Sequence, residues 1–175
     1  MIAAVVLAAG AATRFGAPKQ RLLLPTVLER VSASSVDEVL AVLGAHDVET
    51  DARTVHCPDW ARGPGASLRC GLAALSAEVE AAVVVLADGP NLNPRAVDRV
   101  VRTWGEHGGD VLAATYGGTR SHPVLVARPA WDAIPDEGLR GIPAAEVPCD
   151  DLGDPGDIDV PGDLPRPEPG RSSAR

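Results

Sequence analysis

Two unbroken apolar runs, Ile2–Leu7 (IAAVVL) and Ala81–Leu86 (AAVVVL), constrain this chain more than any other feature. Neither alternates apolar with polar residues, so neither has a face to give to water. Strands of that kind belong inside a sheet covered on both sides, the pattern of parallel strands joined by crossover helices. Segments of helical period separate the strands. Ala66–Leu75 sets Leu68, Leu72 and Leu75 on one face, and Pro94–Trp104 does the same with Val97, Val100, Val101 and Trp104, behind Asn93 as a cap. Val36–Leu43, Arg53–His56, Val111–Thr115 and Pro123–Val126 read as further strands. The expected fold class is therefore α/β, a three-layer α/β/α sandwich around a mostly parallel central sheet. One domain is expected over residues 1–164. The remainder, from Pro165 (PRPEPGRSSAR), has nothing to bury and reads as a disordered tail over 165–175.

Several partners are excluded by composition. No apolar run approaches the roughly 20 residues that span a bilayer, so no membrane is expected. The apolar start has no positive region before it and meets Gly10 too early for a signal peptide. Lys+Arg total 16 against 24 for Asp+Glu, a net charge of −8 without a basic stripe, which argues against nucleic acid. Cys57, Cys70 and Cys149 are odd in number and form no CxxC pair, so they read as reduced, buried small hydrophobes of a cytoplasmic protein.

Ligands of open α/β sheets gather beyond the carboxyl ends of the strands, so the segments after Leu7 and Leu86 carry the most information. After Leu7 come Ala8, Ala9, Gly10, Ala11 and Ala12, whose small side chains leave backbone N–H groups free to cradle oxyanions, followed by Arg14 and Lys19. Lys19 is the only lysine in a chain whose Ala, Gly, Pro, Val and Arg bias looks like drift towards GC-rich codons. A lysine that survives such drift is worth tracking as a hint that its position resists replacement by arginine. After Leu86 come Ala87, Asp88, Gly89 and Pro90, with a carboxylate poorly placed for packing and well placed for a cation. Asp88 as a simple turn former is the plainer alternative.

The spacing LAAG-x3-R-x-G-x2-K over Leu7–Lys19 resembles the signature of nucleotidyltransferases with the GT-A-like fold. Neither a Walker A pattern nor GxGxxG is present. Leu86–Pro90 looks like the LAD-x-P motif of that group, and Gly63–Leu68 (GPGASL) like its G-x3-S-L segment. Arg120–Leu125 (RSHPVL) is similar to a G-H-P-V-L segment, and Asp157–Leu164 to a D-I-D-T-P-x-D-L ending. The whole resembles the molybdenum cofactor cytidylyltransferase-like (MobA/MocA-like) NTP transferase family over residues 1–164. The resemblance implies catalytic roles for Arg14, Lys19 and Asp88. It implies nucleotide binding by Leu7, Ala8, Ala9, Gly10, Arg14, Lys19, Gly63, Ser67 and Asp88. His122 and Pro123 would border the acceptor, with a weaker match at the Asp136-Glu137-Gly138 turn. Mg2+ would be held by Asp88 and Asp159, with Asp157 as second choice. Plainer readings stay open: Ser67 as a helix cap, His122 as structural, and the Asp157–Asp159 cluster as a solvated turn. His46, His56 and His107 fall in no motif and read as surface residues.

Departures from the pattern are Ser121 for Gly and Val160 for Thr, a missing turn between Pro25 and Thr26 before a first helix that reads as brief, and a short connection over Gly44–Arg53 without its helix. The implied reaction is transfer of a nucleoside monophosphate, with CTP favoured by LAAG, to a phosphorylated small-molecule acceptor such as molybdopterin cofactor, releasing pyrophosphate. A molybdoenzyme would be a further partner. Opposite unit charges 4 Å apart at an effective dielectric of 20 attract by about 4 kcal/mol, so Arg14, Lys19 and a divalent cation can reverse the unfavourable field of a −8 protein locally. Two other classes remain open: an NAD(P)H-dependent reductase of the nicotine-blue-reductase type on the same scaffold, and a catalytically silent nucleotide-binding partner of molybdoenzymes.

Overall fold

A computed structural model describes residues 1–11 and 19–157. Its strands are β1 (Ile2–Leu7), β2 (Glu38–Leu43), β3 (Arg53–His56), β4 (Ala81–Leu86), β5 (Val111–Tyr116), β6 (Thr119–Ala127) and β7 (Ala145–Pro148). Its helices are α1 (Lys19–Ser32), α2 (Pro64–Ala73) and α3 (Pro94–His107). One seven-stranded sheet runs in the order β3-β2-β1-β4-β6-β5-β7. Among these strands only β6 runs against its neighbours, pairing antiparallel with both β4 and β5.

The two apolar runs lie side by side at the centre, as their composition requires. Alternate residues of each strand face opposite layers. Ala4, Val6, Val83 and Val85 meet Leu24, Val27 and Val31 of α1 and Val97 and Val100 of α3. Ala3, Val5, Ala82 and Val84 meet Leu68 and Leu72 of α2 together with Trp131 and Ile134. The three-layer α/β/α arrangement follows. Asn93 caps α3 as expected, its side chain accepting from the Arg95 N–H at 3.1 Å.

Four expectations need correction. Helix α1 is not brief: it runs for 14 residues with Pro25 inside it. The proline is exposed, while Leu23, Leu24, Val27, Leu28 and Val31 bury the other face, and that burial outweighs a missing backbone hydrogen bond. Next, β6 begins earlier than Pro123, because Gly117 and Gly118 both take positive φ (57° and 75°) and form a tight turn back from β5. That Gly-Gly pair is the sequence signal for this antiparallel hairpin. The cysteines are not all reduced: Cys57, just past β3, and Cys70, on α2, form a disulfide with Cα atoms 5.7 Å apart, leaving Cys149 free and buried. Their separation of 13 residues gives no local signal, since it is the strand-to-helix crossover that brings them together. Ser67 does not cap α2. The cap position is Gly63, and Ser67 lies buried within the helix. The connection over 44–52 has no helix, as read from sequence, and no described helix is long and apolar enough to cross a membrane.

Candidate functional site

Strands β1 and β4 pair in register through Leu7 and Leu86, so the chains that leave them emerge at one point. The sheet order reverses direction here, with β2 on one side of β1 and β4 on the other, and such switch points open a crevice for ligands. The backbone extends the strands a little further: the Ala8 N–H donates to Val42 O at 2.9 Å and the Ala87 N–H to Leu7 O at 3.1 Å. Asp88 therefore stands just beyond β4 on a fixed backbone. Lys19, the first residue of α1, reaches it with Nζ 3.0 Å from Oδ2. The side chains are 11% and 27% exposed, so the pair is sheltered yet open on one side. The two residues picked from separate strand ends are brought into contact, 69 positions apart.

The described flanks of the segment between Gly10 and Lys19 are held by two polar side chains. Gln20, buried on α1, donates Nε2 to Gly10 O at 2.6 Å. His46 places Nε2 2.9 Å from Ala11 O, which makes that nitrogen the protonated one. His46 is half-buried and, though read from sequence as a surface residue, holds a carbonyl; no motif marks it, because that carbonyl is far away in sequence. Ala8 and Ala9 are buried and Gly10 is exposed. Arg14 lies outside the described residues, as does Asp159.

A cleft of about 830 Å³ opens from this point, with Leu7, Leu86, Arg120, His122, Leu139 and Asp157 among its lining. His122 enters from β6, its peptide to Pro123 being cis and its carbonyl accepting from the Tyr116 hydroxyl at 3.2 Å. Burial lowers the His122 pKa from 6.5 to about 4; Asp88 pulls it up and Arg120 pushes it further down. At neutral pH the ring is uncharged. Pro123, next along β6, is buried.

Residues 134–142 form the far wall, and sequence reading largely missed what holds them. Asp136 is gripped by Arg62 and Arg69, the Arg62 Nη2 lying 3.1 Å from Oδ2. Arg69 also donates to Ile134 O at 2.5 Å. These guanidinium groups hold the Asp136 carboxyl below the usual carboxylate range, Arg69 most of all. Arg120 donates to Ile142 O at 2.6 Å and Leu139 O at 3.0 Å. The start of α2 presses directly on this wall: the Gly65 N–H donates to Asp136 O at 2.9 Å, and a Cβ on Gly65 would sit 1.7 Å from Pro135 O. Gly63, with φ of 138°, is equally close to the wall, a Cβ there meeting Asp136 O at 2.3 Å. The glycines of GPGASL are thus explained by packing against the wall, while Pro64 and Leu68 line the cleft.

The chain returns to the site at its described end. The Asn91 N–H donates to Pro155 O at 3.0 Å, which lays the segment leading to Asp157 beside the turn that follows Asp88. Among the described residues no group of three or more His, Cys, Asp or Glu side chains is assembled for a metal. The region instead offers carboxylate oxygens, Asp88 between the cleft-lining Leu86 and Gly89, and Asp157 on the lining itself. A hard divalent cation that keeps most of its waters needs only one or two such ligands, so the donor set fits Mg2+ or Mn2+ rather than a thiolate- or imidazole-bound metal.

Comparison with known proteins agrees with this geometry. The model of the MobA-like NTP transferase domain matches residues 4–142. The chain belongs to that family. It is a nucleotidyltransferase by membership, and its sheet is the one these enzymes share. The crystal structure of the Rv0371c protein from Mycobacterium tuberculosis is 27% identical, with a TM-score of 0.76 over 91% of this chain and 92% of that one. A manganese complex of the same protein matches at 23% identity and a TM-score of 0.68, covering 85% of this chain and 88% of that one. Molybdopterin-guanine dinucleotide biosynthesis protein A from Archaeoglobus fulgidus matches at 19% identity and a TM-score of 0.65, covering 86% and 85%. A search of curated proteins returns no match.

Proposed function

We propose that this nucleotidyltransferase moves CMP from CTP to a phosphorylated acceptor of the molybdopterin type. The Lys19–Asp88 pair at the switch point carries the reading, because it puts a compact cation and a carboxylate where the two central strands end. Lys19, with Arg14, would bind the β- and γ-phosphates. An oxygen of the acceptor phosphate attacks the α-phosphorus, a new P–O bond forms, the Pα–O–Pβ bond breaks, and pyrophosphate leaves towards those cations. The attacking oxygen is already ionised, so no general base is required. Neutral His122, which lines the cleft, would border the acceptor. Asp88, with Asp157 or Asp159, would hold a divalent metal, which when bound neutralises charge on the transferring phosphates. Support for a metal comes from the carboxylate donor set, the −8 charge and the manganese complex of the mycobacterial neighbour. CTP is favoured by the LAAG sequence over Leu7–Gly10.

Pyrophosphate release from each of the four NTPs, with Mg2+ or Mn2+ and with or without molybdopterin cofactor, tests the proposal. The expected result is release from CTP that needs both metal and acceptor. Preference for another NTP would overturn the choice of base. Tight CTP binding with no release under any condition would replace catalysis with the silent-partner reading.

A further inference from the structure

The cations around the cleft differ in what neutralises them. Lys19 faces Asp88, while Arg62 and Arg69 share Asp136. Arg120 has a different set of partners. It enters from β6 two residues before His122, lines the cleft, and is half-buried, yet its hydrogen bonds go to the carbonyls of Leu139 and Ile142. Those carbonyls fix the guanidinium in place and leave its charge uncancelled. Burial alone acts on its ionisation, lowering its pKa with no acidic side chain to offset the effect, although Glu137 shares the cleft lining. A sheltered cation without a carboxylate is costly to keep unless an anion completes it. A guanidinium held by two carbonyls also retains N–H groups in a fixed plane, the geometry that suits a phosphate or carboxylate. The surroundings say what else the ligand carries: Leu68, Leu92, Leu139 and Pro155 give the cleft apolar walls.

We infer that Arg120 is the specificity-determining residue that recognises an anionic group on the acceptor, and that the acceptor joins this anion to an apolar or planar body. The inference rests on the proposed transfer reaction for the word acceptor, and on the cleft alone for the anion.

Phenyl phosphate is the probe, with benzyl alcohol as its uncharged counterpart. Each is titrated calorimetrically into the full chain, with and without saturating CTP, for the native protein and for Arg120→Lys, Arg120→Met and Lys19→Ala. Phenyl phosphate should bind with CTP present, and Arg120→Met should weaken it about tenfold, the effect of losing hydrogen bonds to a charged group. Arg120→Lys, which keeps the charge and loses the planar fork, should weaken phenyl phosphate too, but by less than Arg120→Met. CTP affinity should be the same in native and Arg120 variants, and benzyl alcohol should not distinguish them. Equal weakening in Arg120→Lys and Arg120→Met would show a structural pin only and overturn the inference. So would undiminished binding in Arg120→Met, no phenyl phosphate binding at all, or binding lost only in Lys19→Ala. Failure of the native protein to bind CTP overturns the transfer reading instead, and the titration without CTP still reports on Arg120.

Discussion

On the Lys19 side of the cleft, backbone does the positioning. Leu7 and Leu86 are register partners, Ala8 and Ala87 continue their strands, and Asp88 follows on a turn buttressed by Asn91 and Pro155. On the far side, side chains do it: Arg62, Arg69 and Arg120 reach from three separate elements to hold residues 134–142. A central parallel sheet opens only when the core opens. A wall tied by arginines half in water can loosen locally while the core stays shut. The first construction suits the fixed phosphate chemistry common to a family, and the second suits a pocket that changes with the acceptor.

The largest test of that contrast is Lys19→Ala. If the Lys19 side is rigid through its backbone, losing this cation should remove chemistry and leave the fold alone. Turnover should fall by about 10²–10³-fold, the usual cost of deleting an electrostatic stabiliser of the transition state. Circular dichroism and the melting temperature should match the native protein. Unchanged pyrophosphate release would remove Lys19 from the reaction, and a variant that melts early would show that the side chain also holds this region together.

His122 provides the next largest effect and probes the junction between the two sides. Its folded pKa is about 4 against an ordinary 6.5, so between those values the unfolded chain takes up a proton that the folded ring refuses. The stability contributed by the neutral ring is complete above about pH 6.5 and falls as pH drops towards 4, by at most about 3 kcal/mol. Urea unfolding at pH 7 and at pH 4.5 should show that loss, and His122→Asn should flatten it. Asp136, whose pKa lies below 3.8, loses its contribution only at lower pH, so the far wall should survive the window in which His122 titrates. A native profile that is flat from pH 7 to 4.5 would mean the ring is solvated.

The same contrast explains what could be read from the sequence. Val83–Val85 and Val5–Val6 sit where continuous apolar runs put them, and the chemistry after Leu7 and Leu86 follows because strand ends are local features. Lys19 and Asp88 were each marked by a strand end, but their direct contact was not, because it spans 69 positions. The arginine clamps were not legible. Arg69 contacts Asp136 across 67 positions and Arg120 contacts Leu139 across 19, and nothing in the spacing of arginines in an arginine-rich chain marks the few that grip a carbonyl. The Cys57–Cys70 bridge escaped for the same reason, since partners on a strand end and a helix meet only after the crossover closes.

The smallest expected effect separates two arginines that share one carboxylate. Arg62 is 59% exposed and pairs with Asp136, whereas Arg69 is 32% exposed and holds both Asp136 and the Ile134 carbonyl. An exposed ion pair contributes little, so Arg62→Ala should leave melting temperature and phenyl phosphate affinity unchanged within error. Arg69→Ala frees the wall at two points, one of them main chain, and should weaken phenyl phosphate about threefold while leaving CTP affinity alone. Equal effects from both variants would mean that the wall is held by charge on Asp136 alone. An effect of Arg69→Ala on CTP as well would mean that α2 transmits the loss to the Lys19 side, and the two sides of the cleft would then have to be treated as one mechanical unit.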